Sequence, residues 1–258
     1  MKTSSHTDST TRFSDRVENY IKYRPGYPKE MMNFLVENKA LLDEDIVADI
    51  GSGTGISTKL FLENGNLVYG IEPNDAMRNA AENLLVNFPN FRSINATAER
   101  TGLPVESVDL IVAGQAFHWF DVAKTKEEWL RILKPGGRVA LIWNERLEDA
   151  TPFLNAYELL LRKYGTDYQE INHKNIDSKI IAGFFKPATC NLQVFANSQH
   201  FDLEGLKGRL LSSSYTPGPE KLTYIPMIDT LKDIFDKYNE DGKVVFEYKT
   251  MVYYRKMK

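Results

Sequence analysis

A short apolar run of Ile46, Val47, Ala48 and Ile50 carries one acid, Asp49, and leads straight into Gly51, Ser52, Gly53, Thr54 and Gly55. Glycine tolerates positive φ and has no Cβ. Three of them at alternate positions, between a strand pattern and a helix pattern, let the backbone bend tightly and a ligand lie against the main chain. A dinucleotide loop, Gly-x-Gly-x-x-Gly, would need glycine at 56, where Ile56 stands. Glu72 follows 17 residues after Gly55, near the offset of roughly 20 at which an acid meets a ribose. Its carboxylate has the lone pairs to accept two hydrogen bonds from a vicinal diol. A third cluster, Gly114-Gln-Ala-Phe-His-Trp-Phe120, is dense in aromatics for a loop. Its His118 is a candidate general base, although a lone histidine beside a loop is more often structural.

The elements that must position these residues are legible as near-continuous apolar runs alternating with helical patterns. Strands are expected at Ile46–Ile50, Leu67–Ile71, 108–113 and 138–143, with a weaker one near Phe91–Ile94. Helices are expected over 75–88, with Ala76, Ala80, Leu84 and Phe88 spaced by four, and over 124–133, ending at Lys134-Pro-Gly-Gly137. Strand starts at βαβ spacing predict a doubly wound, Rossmann-like, mostly parallel α/β sheet. Further on, 151–168 reads as an amphipathic helix, 170–179 as a polar stretch, 192–196 as a strand, 221–238 as a helix interrupted near Pro226, and 243–254 as β-rich.

The pattern Asp-x-Gly-x-Gly-x-Gly over 49–55 resembles motif I of the class I S-adenosylmethionine (SAM) methyltransferases. Glu72-Pro73-Asn74 matches the family's ribose-binding acid at the end of the second strand, and Ala98 with Glu99 matches the segment that lines adenine. Leu103-Pro104 followed by Val108-Asp109 resembles the family's run into strand four. The segment from Phe13 through Tyr20, Tyr23, Arg24-Pro25 and Tyr27-Pro28, taken with Gly114-Gln-Ala-Phe-His-Trp119, is similar to the small-molecule subgroup that includes trans-aconitate methyltransferase-like enzymes. The resemblance covers about 13–145. It implies SAM as cofactor, held by Asp49, Gly51, Ser52, Gly53, Gly55, Glu72, Pro73, Asn74, Met77, Ala98, Glu99 and Gln115, with Tyr20 and Arg24 covering it. An acceptor pocket is expected from Tyr23, Tyr27, Phe117, Trp119 and Arg146, with aromatic faces near the sulfonium; Phe120 could join it, but core packing is the better reading for that residue. The β-rich ending resembles the family's sixth and seventh strands, so a seven-stranded sheet is expected. The expected division is a tail over 1–12, a cover segment plus SAM-binding core over 13–150, a helical cap insertion over 151–180, and a part over 181–258 completing the sheet.

Bulk properties bound the function. With 258 residues, 42% hydrophobic and 26% charged, the chain is an ordinary globular one with room for a large core. A net charge of −3 offers no basic footprint for nucleic acid. The Asp/Asn-Pro-Pro-Tyr run of adenine-N6 DNA methyltransferases is absent where Gly114-Gln-Ala-Phe stands. Four histidines and one cysteine argue against a disulfide framework and a Cys-rich zinc site, and no metal is expected. There is no apolar run of membrane-spanning length and no signal-peptide core. A cytoplasmic monomer or homodimer acting on a small molecule is the expectation. A carboxylate acceptor would need no base but a positive partner, for which Arg24 and Arg146 are candidates. A phenol or amine would need proton removal by His118 or Glu145. Two rivals stand beside this reading. One is a SAM-binding protein without turnover. The other is a short-chain dehydrogenase, whose Tyr-x-x-x-Lys pair is matched only by Tyr254 and Lys258 in a strand-like stretch.

Overall fold

The computed structural model describes residues 17–166, 168 and 178–258. The expected tail 1–12, the first residues of the cover segment (13–16), and most of the expected polar stretch 170–179 lie outside the described residues. The seven strands form one sheet: β1 (Ile46–Ile50), β2 (Leu67–Ile71), β3 (Phe91–Ile94), β4 (Val108–Gly114), β5 (Leu133–Arg146), β6 (Asn191–Phe201) and β7 (Val244–Lys256). Their order is β3-β2-β1-β4-β5-β7-β6. The first five run parallel, and β7 is antiparallel to both neighbours. The expected mostly parallel seven-stranded sheet is therefore observed. β5 is longer than the expected 138–143 because Lys134-Pro-Gly-Gly137 does not end the ladder. The register to β4 jumps from Val108–Leu133 to Leu110–Arg138, so Lys134 and the three breakers after it are accommodated as an irregularity inside the strand.

Side chains alternate across each strand, so the sheet sorts its apolar residues onto two faces. Ala48, Ile50, Ile111, Val139 and Leu141 face one layer with Trp129 and Ile132 of α5 (Val122–Ile132) and Phe184 of α7 (Ser178–Phe185). Val47, Val68, Val112 and Ile142 face the other, with Leu35 of α2 (Lys29–Glu37) and Phe61 of α3 (Ile56–Glu63). Full burial of a residue such as Phe61 contributes about 2–3 kcal/mol. α4 (Asp75–Leu84) is capped by the Asn74 side chain, which accepts from the Met77 N–H.

A third core lies over the far end of β7. Phe246 and Tyr248 pack among α6 (Pro152–Tyr164), α8 (Leu203–Leu211) and α9 (Tyr224–Tyr238). α6 begins at Thr151, whose Oγ1 accepts from the Leu154 N–H, and it stops at Gly165 rather than at Tyr168. The helical layer thus draws on segments on both sides of β6, well beyond 151–180. Pro226 sits in the first turn of α9, where a missing N–H costs nothing, and so does not interrupt it. α1 (Val17–Tyr23) lies against α8.

Candidate functional site

A cavity of about 560 Å³ opens beyond the carboxyl ends of the parallel strands, where open α/β sheets place ligands. The three glycines after β1 divide the work. Gly51 (φ +70°) admits no side chain, since a Cβ there would lie 2.5 Å from the Ala116 Cβ. Gly55 (φ +85°) lets α3 approach the end of α4, because a Cβ would meet Leu85 at 2.8 Å. Gly53 (φ +55°) lines the cavity, and a Cβ there would meet nothing within 4 Å. Ser52 lines it too. Asp49 and Gly55 do not line it. Asp49 is fully buried beneath the loop, where its Oδ2 accepts from Ser57 and Thr58 hydroxyls at 2.7 Å, so it braces the start of α3 instead of touching a ligand. Burial pushes its carboxyl up to about 6, against the hydroxyl hydrogen bonds that hold it down.

Glu72 leaves β2 at the cavity wall. Its Oε2 accepts from the Gly53 N–H at 2.9 Å and its Oε1 from the Asn74 N–H at 2.8 Å. Burial raises its pKa above the ordinary carboxylate value, opposed by those two N–H groups. The acid therefore fixes the glycine loop and the cap of α4 from one point. Pro73, Asn74 and Met77 continue the wall. Ala98 and Glu99 follow β3, and Glu99 accepts from the Asp121 N–H at 2.9 Å.

β4 delivers Gln115 in the left-handed region (φ +58°), a strained backbone of the kind that collects at functional sites. Its Nε2 donates to the Asn144 carbonyl at 3.0 Å, while its buried Oε1 has no hydrogen-bond partner. His118 and Trp119 line the cavity from the 3-10 turn Phe117–Trp119. Phe117 does not. It is 1% exposed and packs edge-on against Phe184 and Trp143, because the short turn reverses which aromatic faces the sheet core. Phe120, expected in the core, reaches the cavity while still packing on that core. Burial drives the His118 pKa down to about 4, so its imidazole is neutral at physiological pH and a weak base.

The cover segment is pinned by Asn144. Its Nδ2 and that of Asn197 both donate to the Gly26 carbonyl, at 3.0 and 2.9 Å, and Thr250 Oγ1 donates to its Oδ1 at 2.5 Å. This seats Tyr20, Arg24 and Tyr27 over the cavity. Tyr23 faces away: it fills the space left by Gly208 and packs against Phe201, because the helix turns it toward α8. Arg146 reaches the cavity but is already engaged, donating through Nη2 to Glu158 at 2.5 Å.

Residues 48–141 match the family model described as a methyltransferase domain. An uncharacterized methyltransferase of Mycobacterium bovis is 36% identical over 146 residues, 57% of each chain. The match therefore spans a little over half the length of that relative. An uncharacterized methyltransferase-like protein of Schizosaccharomyces pombe is 26% identical over 93% of each chain. Among solved structures, one provisionally named a type II methyltransferase, from Anaeromyxobacter dehalogenans, superposes with a TM-score of 0.66 at 19% identity, covering 91% of this chain and 98% of that one. The fold is that of a class I methyltransferase.

The cavity fits a nucleoside on two observations. The main chain at Gly53 is bare toward open space, and the Glu72 carboxylate stands beside it at the wall. Among the described residues no group of three His, Cys, Asp or Glu is placed to hold a metal ion, and no helix is long and apolar enough to cross a membrane. Sequence reasoning missed the contribution of the far half of the chain. Asn144, Arg209, Tyr215 and Tyr248 all line the cavity, and no element was expected at Leu203–Leu211. One signal was available: Leu206, Arg209 and Leu210 share a helix face at spacings of three and four, which puts a charge on the apolar side.

Proposed function

We propose that this chain is a SAM-dependent methyltransferase acting on a small-molecule acid, with a carboxylate oxygen as the acceptor. Gly53 carries the reading: a main-chain glycine at positive φ, open to the cavity and tied by its N–H to Glu72, is a seat for a nucleoside rather than a packing device. SAM supplies a methyl group on a sulfonium, which is already a good leaving group. The protein's task is to hold, align and dry the reactants. Ser52 and Gly53 would face the donor, Glu72 its ribose, Ala98 and Glu99 its adenine, with Gln115 and Tyr20 closing over the remainder. A carboxylate acceptor is favoured because His118, near pKa 4, is poorly matched to deprotonating a phenol or an amine, whereas a carboxylate arrives ionised. The resemblance of the cover segment and of Gly114–Trp119 to the trans-aconitate methyltransferase-like group supports the same choice. The net charge of −3 disfavours nucleic acid. A monomer or a homodimer would serve.

The test pairs binding with product chemistry. Gly53→Ala adds a methyl group into the cavity and about 1–2 kcal/mol of left-handed strain. By calorimetry it is expected to weaken S-adenosylhomocysteine binding at least tenfold in a protein that still unfolds cooperatively. Unchanged affinity would remove the site assignment. Incubation with methyl-tritiated SAM and a panel of carboxylic acids, phenols and amines is expected to give a product that releases tritiated methanol in alkali. An alkali-stable product would replace the carboxylate with another acceptor.

A further inference from the structure

We infer that Arg209 of α8 and Arg24 of the cover segment form an anion subsite at the cap end of the cavity, which grips a charged group of the acceptor other than the one that is methylated. This rests on the methyltransferase reading above and adds the acceptor's second feature.

Both arginines line the cavity, and both reach Ser212: Arg24 Nη2 donates to its carbonyl at 2.9 Å and Arg209 Nη1 to its Oγ at 3.5 Å. Arg209 is 6% exposed. Its other hydrogen bonds run to neutral hydroxyls and are long, 3.4 Å from Nε to Tyr248 Oη and 3.3 Å from Nη1 to Ser213 Oγ. The buried Nε of Arg24 has no hydrogen-bond partner, and its guanidinium lies 4.9 Å from the Tyr20 ring centre. Among the described residues neither forms an ion pair, in contrast to Arg146, which has Glu158. A guanidinium stays charged in proteins, and two of them converging on one serine, one buried and one half-buried, are costly unless something anionic joins them. Burial first and then the Arg209 charge lower the Arg24 pKa, whereas Tyr248, Tyr157 and Tyr215 around Arg209 raise its own pKa against burial.

The charge must outlast the reaction. A carboxylate whose lone pairs were taken up by two guanidiniums would be a poor nucleophile, and once esterified it would leave both cations facing a neutral group. A group that is not methylated keeps its charge throughout and holds the acceptor in one orientation. A carboxylate, a phosphate or a sulfonate would each meet this requirement.

The experiment is calorimetric titration of wild type, Arg209→Gln and Arg209→Lys with malonate and with inorganic phosphate, each with and without saturating S-adenosylhomocysteine, which is itself titrated against all three. In wild type both malonate and S-adenosylhomocysteine are expected to bind, and tighter binding of phosphate than malonate would assign the group as a phosphate. Arg209→Gln is expected to lose anion binding by tenfold or more, Arg209→Lys to retain part of it, and S-adenosylhomocysteine affinity to stay within about twofold in both variants. Anion affinity unchanged in Arg209→Gln would overturn the subsite. So would a tenfold loss of S-adenosylhomocysteine affinity in that variant, which would give the pair to the donor's own carboxylate. Absence of S-adenosylhomocysteine binding in wild type would instead sink the methyltransferase reading.

Discussion

Asp49 and His118 are both buried, both titratable, and shifted in opposite directions. Asp49 rises from the ordinary 3.8 to about 6, and His118 falls from 6.5 to about 4. For Asp49 the folded state binds the proton more tightly than the unfolded one, so its contribution to stability is greatest below pH 4 and is lost as pH rises through 6. For His118 the unfolded state binds the proton more tightly, so stability is present above pH 6.5 and is lost as pH falls toward 4. Each effect is on the order of 3 kcal/mol, and across pH 4–6 they largely cancel. Asp49→Asn should therefore gain stability relative to wild type as pH rises from 4 to 6, while His118→Gln should gain relative to wild type as pH falls over 6.5–4. Urea unfolding at half-unit pH steps checks both; parallel curves for variant and wild type would contradict the burial of these groups. Residue types and spacing picked out both positions, but not what each does. A sequence names Asp49 as part of a binding pattern, and only burial turns it into a brace for α3.

Pairs of elements meet at points that sequence alone leaves open. The cap is tied to the sheet through Glu158 of α6, which accepts from Arg146 at the end of β5, from Arg162 one turn on, and from Tyr168 at 2.6 Å. Glu158→Ala would strand the Arg146 guanidinium, 11% exposed, without its counter-ion. The expected loss is about 3–5 kcal/mol in denaturant unfolding, most of it recovered in the double variant Arg146→Met/Glu158→Met, since replacing both charges removes the stranded one. A double variant no more stable than Glu158→Ala would show the loss to be one of packing. The strands of the parallel half were legible nearly to the residue because each is an apolar run bounded by turn residues. β5 was not, because Lys134 to Gly137 carry the composition of a loop, while the pairing of Leu133 before them and of Arg138 onward after them keeps them inside the strand.

At the scale of the molecule, the cavity has a floor from the parallel strands and a roof from distant segments: α1 with the residues to Tyr27, α8, and the turn carrying Ser212 to Tyr215. Binding of S-adenosylhomocysteine should slow amide exchange in the glycine loop and also across 17–28, whose Tyr20 lines the same cavity, and across 203–216, which Arg24 ties to that segment through the Ser212 carbonyl. Protection confined to 51–55 would mean that the roof does not respond to the donor.

The chain by itself determined the doubly wound sheet, the loop where the donor would lie and the acid beside it, because hydrophobic period and glycine spacing are local properties of the backbone. Tertiary structure alone decided that Phe120 and not Phe117 faces the cavity, that Tyr23 turns away, that Arg146 is spoken for and that Arg209 is not. Those outcomes depend on which buried groups, far apart in the chain, reach the same few ångströms and satisfy or leave open one another's charge.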